Sequence, residues 1–110
     1  MNKKIANIVN HSEVSEKAIE RYLVDEVKKI GGVCLKYSNQ NTAGYPDRLL
    51  LLPGARTIWV ELKSKGKHTT TLQNVRICTL NNLGYPVFIC DSKELVDECL
   101  KFYRNAIQAL

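Results

Sequence analysis

The chain has 110 residues, 45% of them hydrophobic and 25% charged, with a formal net charge of +5. That length holds one folded domain with a modest core and leaves no room for a second module. No run nears the roughly 18 apolar residues of a membrane span. The polar start Met1-Asn2-Lys3-Lys4 lacks a signal peptide's apolar core, so a cytoplasmic protein away from membranes is expected.

In chain order, residues 1–12 read as a loosely held arm and 13–110 as a single domain. Ser12 or Ser15 can cap a first helix running to Ile30, with Glu13 and Glu16 suiting its dipole. Ile19, Leu23, Val27 and Ile30 form its buried stripe, and Gly31-Gly32 ends it. Val33 to Tyr37 is a strand, followed by a polar loop from Ser38 to Gly44. Arg48–Leu52 and Thr57–Leu62 are strands joined by the hairpin signal Pro53-Gly54-Ala55-Arg56. Strands this apolar are expected to be buried on both faces, with Trp59 packed in the core. Thr69 to Leu83 fits a second helix, with Leu72, Val75 or Arg76, Cys78 or Thr79, and Leu83 toward the core. Pro86–Cys90 is a fourth strand. Asp91 or Ser92 caps a last helix to about Ala109, with Leu95, Val96, Cys99, Leu100, Tyr103 and Ile107 facing inward. The order α-β-β-β-α-β-α predicts a mixed four-stranded α/β sheet flanked by helices.

Cys34, Cys78, Cys90 and Cys99 have no paired C-x-x-C spacing and read as reduced, buried small hydrophobes rather than zinc ligands. His11 and His68 stand alone, in keeping with solvated histidines.

The chemistry concentrates between Gly44 and Lys63. Pro46 fixes its own backbone and pushes Tyr45 toward an extended conformation, so Asp47 enters its strand from a stiff bend. Side chains alternate along a strand, so Glu61 and Lys63 share a face while Leu62 points to the core. A hairpin can bring Asp47 and Glu61 together. Two carboxylates supply hard oxygen ligands for Mg²⁺ or Mn²⁺. A lysine beside them can steady the charge on a transferring phosphate or position the attacking water. Singly, a Pro-Asp turn and a Glu-x-Lys are ordinary surface features; together, on adjacent apolar strands, they point to a site.

Gly44-Tyr45-Pro46-Asp47-Arg48, Trp59-Val60-Glu61-Leu62-Lys63 and Gln73 together resemble the PD-(D/E)XK nuclease superfamily. Within it they are most similar to the small stand-alone VRR-NUC (virus-type replication-repair nuclease) group. The resemblance runs from about Glu16 to about Asp91 and implies a restriction-endonuclease-like core. It assigns Asp47 and Glu61 to the metal, adds the main-chain carbonyl of Leu62, and gives Lys63 the attacking water and the phosphate charge. Gln73 is implied to support the lysine or to contact phosphate. Glu20-Arg21-Tyr22-Leu23-Val24, with Gly31 eleven residues past Glu20, is similar to the first-helix motif of archaeal Holliday-junction resolvases. Glu20 is therefore preferred to Glu16 as a third catalytic carboxylate. Tyr45 departs from the smaller residue common in this branch.

Lys65 and Lys67, directly after the site, are expected to contact a nucleic-acid backbone, as are Lys36 and Arg48. The function implied is a Mg²⁺- or Mn²⁺-dependent, structure-selective DNA endonuclease. It would act on Holliday junctions or other branched DNA as a homodimer, with the last helix as candidate interface. The alternatives are a restriction-type or nicking endonuclease on duplex DNA and a nucleic-acid-binding protein whose catalysis has lapsed.

Overall fold

The computed structural model describes residues 15–109; the arm expected over residues 1–12, together with Ser12, Glu13 and His11, lies outside them. Helix α1 (Glu16–Lys29) starts where the Ser15 hydroxyl accepts a hydrogen bond from the Ala18 N–H at 3.2 Å. Strands β1 (Val33–Lys36), β2 (Arg48–Leu52) and β3 (Arg56–Leu62) then form an antiparallel meander. The β2–β3 turn holds Gly54 at φ +80° and Ala55 at φ +57°, a left-handed pair that matches the twist of a hairpin. Helix α2 (Thr71–Asn82) carries the chain to β4 (Val87–Cys90), which lies parallel beside β3, and Ser92 caps α3 (Lys93–Gln108). The result is one mixed sheet in the order β1-β2-β3-β4, with helices on both sides and the element order read from the sequence.

The two faces of this sheet differ. One carries Leu50, Leu52, Ile58, Val60, Leu62 and Cys90, and packs against Ile19, Leu23 and Val27 of α1 and Val96, Cys99, Leu100 and Tyr103 of α3. Each such side chain contributes about 1.5–3 kcal/mol of burial. Two tyrosines fasten this layer: Tyr22 Oη donates to Asp97 Oδ1 at 2.6 Å, and Tyr103 Oη donates to the Pro53 carbonyl at 2.9 Å. The opposite face carries the rows Val33–Leu51–Thr57 and Leu35–Leu49–Trp59–Val87.

That second face corrects the expectation of strands buried on both sides. Val33, Leu35 and Leu51 are exposed, and Trp59 is half-buried outside the core, because α2 packs toward the β4 side of this face and leaves the β1 side open. The inward side of α2 also differs from the expected one. Gln73, Arg76, Ile77 and Leu80, spaced i, i+3, i+4 and i+7, turn inward, while Leu72, Val75, Cys78 and Leu83 are exposed. Half of the true inward stripe is polar, which hides it from apolar periodicity. On α3, Leu95 is exposed because it precedes the stripe begun by Val96. Cys90 and Cys99 are buried as expected, whereas Cys34 is half-buried and Cys78 exposed.

This assignment of α2 predicts unequal costs for two similar truncations. Leu80, 5% exposed, should lose about 2–5 kcal/mol on Leu80→Ala. Leu83, 68% exposed, should change by no more than about 0.5 kcal/mol on Leu83→Ala. Urea unfolding of the two variants separates these outcomes, and equal losses would reject the assignment.

Candidate active site

The site begins with a close backbone approach. Gly44 has φ +98°, and a Cβ there would lie 2.7 Å from Leu72 Cγ and 3.2 Å from the Leu72 carbonyl. Only glycine meets both conditions. It lets the loop cross against the first turns of α2, where Arg76 Nε donates to the Ala43 carbonyl at 2.8 Å. Pro46 is buried and stiffens the next step. Asp47 follows, immediately ahead of β2.

Extending the pairing of Arg48 with Val60 by one step sets Asp47 opposite Glu61, and by a second step Pro46 opposite Leu62. Two hydrogen bonds tie Asp47 to the end of β3, one to Glu61 and one to Leu62. The Asp47 N–H donates to Glu61 Oε1 at 3.2 Å, and the Leu62 N–H donates to Asp47 Oδ2 at 3.3 Å. Pro46 has no N–H to offer, so the ladder stops there and leaves the Leu62 carbonyl unclaimed by the β2 side. On the other edge of β3, the Lys63 N–H donates to the Cys90 carbonyl at 3.1 Å. This keeps the strand straight, so Lys63 falls on the same side as Glu61.

The second Glu61 oxygen is equally engaged. Gln73 Nε2 donates to Oε2 at 2.8 Å, and Lys63 Nζ lies 3.3 Å from the same atom. The orientation of the Gln73 amide is set by a capping box. Its Oε1 accepts from the Thr70 N–H at 2.9 Å, and its own N–H donates to Thr70 Oγ1 at 3.1 Å. With the oxygen end fixed to Thr70, only the NH₂ end can face Glu61.

Glu61 is 2% exposed, and it alone among the described residues is a buried charged side chain. Burial pushes its carboxyl above the ordinary 4.5, and the nearby negative charge of Asp47 pushes the same way. The Lys63 ammonium and the Asp47 N–H pull it partly back. Two converging acidic groups against one ammonium leave the pocket short of positive charge.

The other residues singled out in the sequence are placed apart from this cluster. Glu20 accepts from Arg48, with Nε 3.3 Å and Nη2 3.0 Å from its Oε2, while Arg48 Nη1 donates to the Cys34 carbonyl at 3.3 Å. Arg48 shares a row with Val60, on the α1 side of the sheet, so Glu20 stands behind the strand that carries Asp47. Glu16 sits exposed in the first turn of α1. Lys36 is exposed at the end of β1, opposite Arg48. Lys65 and Lys67 are exposed on a turn closed by a hydrogen bond from the Lys67 N–H to the Ser64 carbonyl, directly past Lys63. Two further residues join the site: Thr70, the threonine that caps α2 through its T-x-x-Q spacing to Gln73, and Arg76, one turn beyond Gln73 on the same helix face.

No family model matches the chain. A curated protein named "Putative nuclease p44", from Acyrthosiphon pisum secondary endosymbiont phage 1, is 40% identical over 82 residues, covering 74% of this chain and 88% of that relative. A solved structure described as "VRR_NUC domain" superposes with a TM-score of 0.75 at 26% identity, covering 80% of this chain and 96% of that one. The chain belongs to the VRR-NUC family.

In this VRR-NUC domain the raised Glu61 carboxyl has a consequence for stability. The folded chain holds that proton more tightly than the unfolded chain, so ionising Glu61 costs folding free energy. Its contribution is most favourable below its ordinary 4.5 and is lost as pH rises through the folded value. Without divalent cations, Glu61→Gln should therefore gain stability relative to wild type as pH rises above 4.5. Urea denaturation at successive pH values measures this, and a difference that does not vary with pH would contradict it.

Proposed function

We propose that this VRR-NUC protein is a metal-dependent endonuclease that hydrolyses phosphodiester bonds in branched DNA, with a Holliday junction as the leading substrate. The interlocked pair of Asp47 and Glu61, with Lys63 and Gln73 on the second Glu61 oxygen, is the observation that supports it. The nuclease name of its phage relative and the likeness to a solved VRR-NUC domain agree with this chemistry.

The donor set suits a hard divalent cation such as Mg²⁺ or Mn²⁺: two carboxylates and the unclaimed Leu62 carbonyl, all oxygen. Among the described residues no group of three His, Cys, Asp or Glu side chains converges, which matches an ion that keeps part of its water shell. When bound, such an ion polarises the phosphate and acidifies a coordinated water. Lys63 steadies the charge that develops on the phosphoryl oxygens and orients the attacking water. Gln73 holds Glu61 aimed through its hydrogen bond to Oε2. Glu20 acts from behind, through Arg48, holding the start of β2 beside Asp47. Lys65 and Lys67 extend positive charge past Lys63 along the path of the DNA backbone, and Lys36 does so at the exposed end of β1.

Cutting paired strands calls for two sites, and a two-fold homodimer supplies them. Exposed Phe102 on α3, with exposed Tyr85 beside it in the α2–β4 connection, supports that part of the surface as the interface.

A cleavage panel of four-way junction, flap and linear duplex tests this reading, with and without Mg²⁺ or Mn²⁺. Metal-dependent cutting of the branched substrates is expected; cutting of linear duplex alone would point to a restriction-type enzyme. Glu61→Ala and Lys63→Ala should each reduce cleavage by at least about 10³-fold while DNA binding persists. Gln73→Ala should cost about 10- to 100-fold. DNA binding without metal-dependent cleavage in the wild type would overturn the proposal.

A further inference from the structure

Three aromatic rings lie beside the site and take no part in the chemistry above. Tyr37, Tyr45 and Trp59 are half-buried on the open face of the sheet, outside the core. Tyr37 and Trp59 meet edge to face with centroids 5.1 Å apart, Tyr37 and Tyr45 at 5.9 Å, and Tyr45 and Trp59 at 6.0 Å. The Arg76 guanidinium stands over the Tyr45 ring, 5.6 Å from its centroid, and forms no ion pair among the described residues.

The cluster is joined to the catalytic groups. Trp59 precedes Glu61 by two residues on the same face, about 7 Å along the strand. The Tyr37 N–H donates to the Asp47 carbonyl at 2.8 Å. The polar loop between β1 and β2 folds around the rings: Asn39 Nδ2 donates to Tyr37 Oη at 3.1 Å, and Asn39 Oδ1 accepts from the N–H groups of Asn41 and Thr42. The adjoining surface of Leu35 and Leu51 is exposed.

We propose that Tyr37, Tyr45, Trp59 and Arg76 form a stacking platform for an unpaired nucleotide of the substrate strand, next to the phosphate held at Glu61 and Lys63. The proposal rests on the nuclease reading for the identity of that strand. An aromatic surface accepts the face of any base, and a base within a duplex has both faces covered by its neighbours, so the platform selects unpaired nucleotides without reading sequence. Arg76 supplies the charge for the adjoining phosphate, in keeping with the net charge of +5. Strand opening at a branch or flap then becomes part of substrate recognition, and Gly44 and Arg76 link the platform to α2, the helix that aims Gln73.

Trp59 is the chain's one tryptophan, so its emission reports on this surface directly. The wild-type protein is titrated without divalent metal, excited where tyrosine does not absorb. The probes are a short oligothymidylate, an abasic strand with equal phosphates, and a fully paired blunt-ended duplex. The oligothymidylate should quench Trp59, whereas the other two should bind, by anisotropy of a dye on the DNA, with little quenching. Trp59→Leu should weaken oligothymidylate binding about 5- to 100-fold relative to the abasic strand, with Trp59→Phe restoring most of it. Arg76→Gln, read on the intact Trp59, should weaken both single strands alike and lower the salt slope by about one. Unchanged emission at saturating oligothymidylate, or equal quenching by the abasic strand, overturns the platform. Cleavage without quenching removes the platform and keeps the nuclease; quenching without metal-dependent cleavage does the reverse.

Discussion

The Glu61 carboxylate sits 2% exposed between the sheet and the first turn of α2, and the surrounding structure is arranged to make that burial tolerable. Removing an ion from water costs several kcal/mol even after relaxation. Three donors offset the cost, each hydrogen bond to the charged group contributing about 1.5–3 kcal/mol. They come from separate parts of the chain: the Asp47 N–H ahead of β2, the Gln73 amide from α2, and the Lys63 ammonium from the end of β3. Gly44, Pro46 and Thr70 bring those donors into reach. No buried side-chain polar atom among the described residues lacks a partner. The compensation is sufficient for the fold, yet electrostatically incomplete, because burial first and the adjacent Asp47 second still disfavour the ionised form.

The alternation of β3 turns this constraint into a working surface. Ile58, Val60 and Leu62 face α1 and α3 and anchor the strand in the dry core, which leaves Trp59, Glu61 and Lys63 together on the open face. Rigid packing behind holds the chemical groups in front. Glu20 and Arg48 belong to the supporting side, where their ion pair fixes the start of β2 from behind. The front stays open to solvent, since α2 shields only the β4 side of that face.

Much of this was legible in the sequence. The glycines, prolines and capping residues set the element order, and the strand period alone puts Glu61 and Lys63 on one side. Periodicity could not reveal which face of the sheet would be covered. Leu35, Leu51 and Trp59 look like core residues in any window, and they stay outside it because one short helix covers only part of their face. Apolar spacing misplaced the inward side of α2 for a related reason: Gln73 and Arg76 turn inward to serve the site, so polar residues occupy the stripe that pattern reading assigns to the core. The tie between Glu20 and Arg48 was invisible for want of any local signal, as the two residues lie 28 positions apart.

The central claim is that Asp47 and Glu61 together form a cation site. Mn²⁺ binding to the DNA-free protein, followed by the loss of the free-ion electron paramagnetic resonance signal, tests it most directly. Wild-type protein should take up Mn²⁺, and Asp47→Asn should weaken uptake at least about tenfold. Undiminished uptake by folded Asp47→Asn, or no uptake by the wild type, would contradict the account.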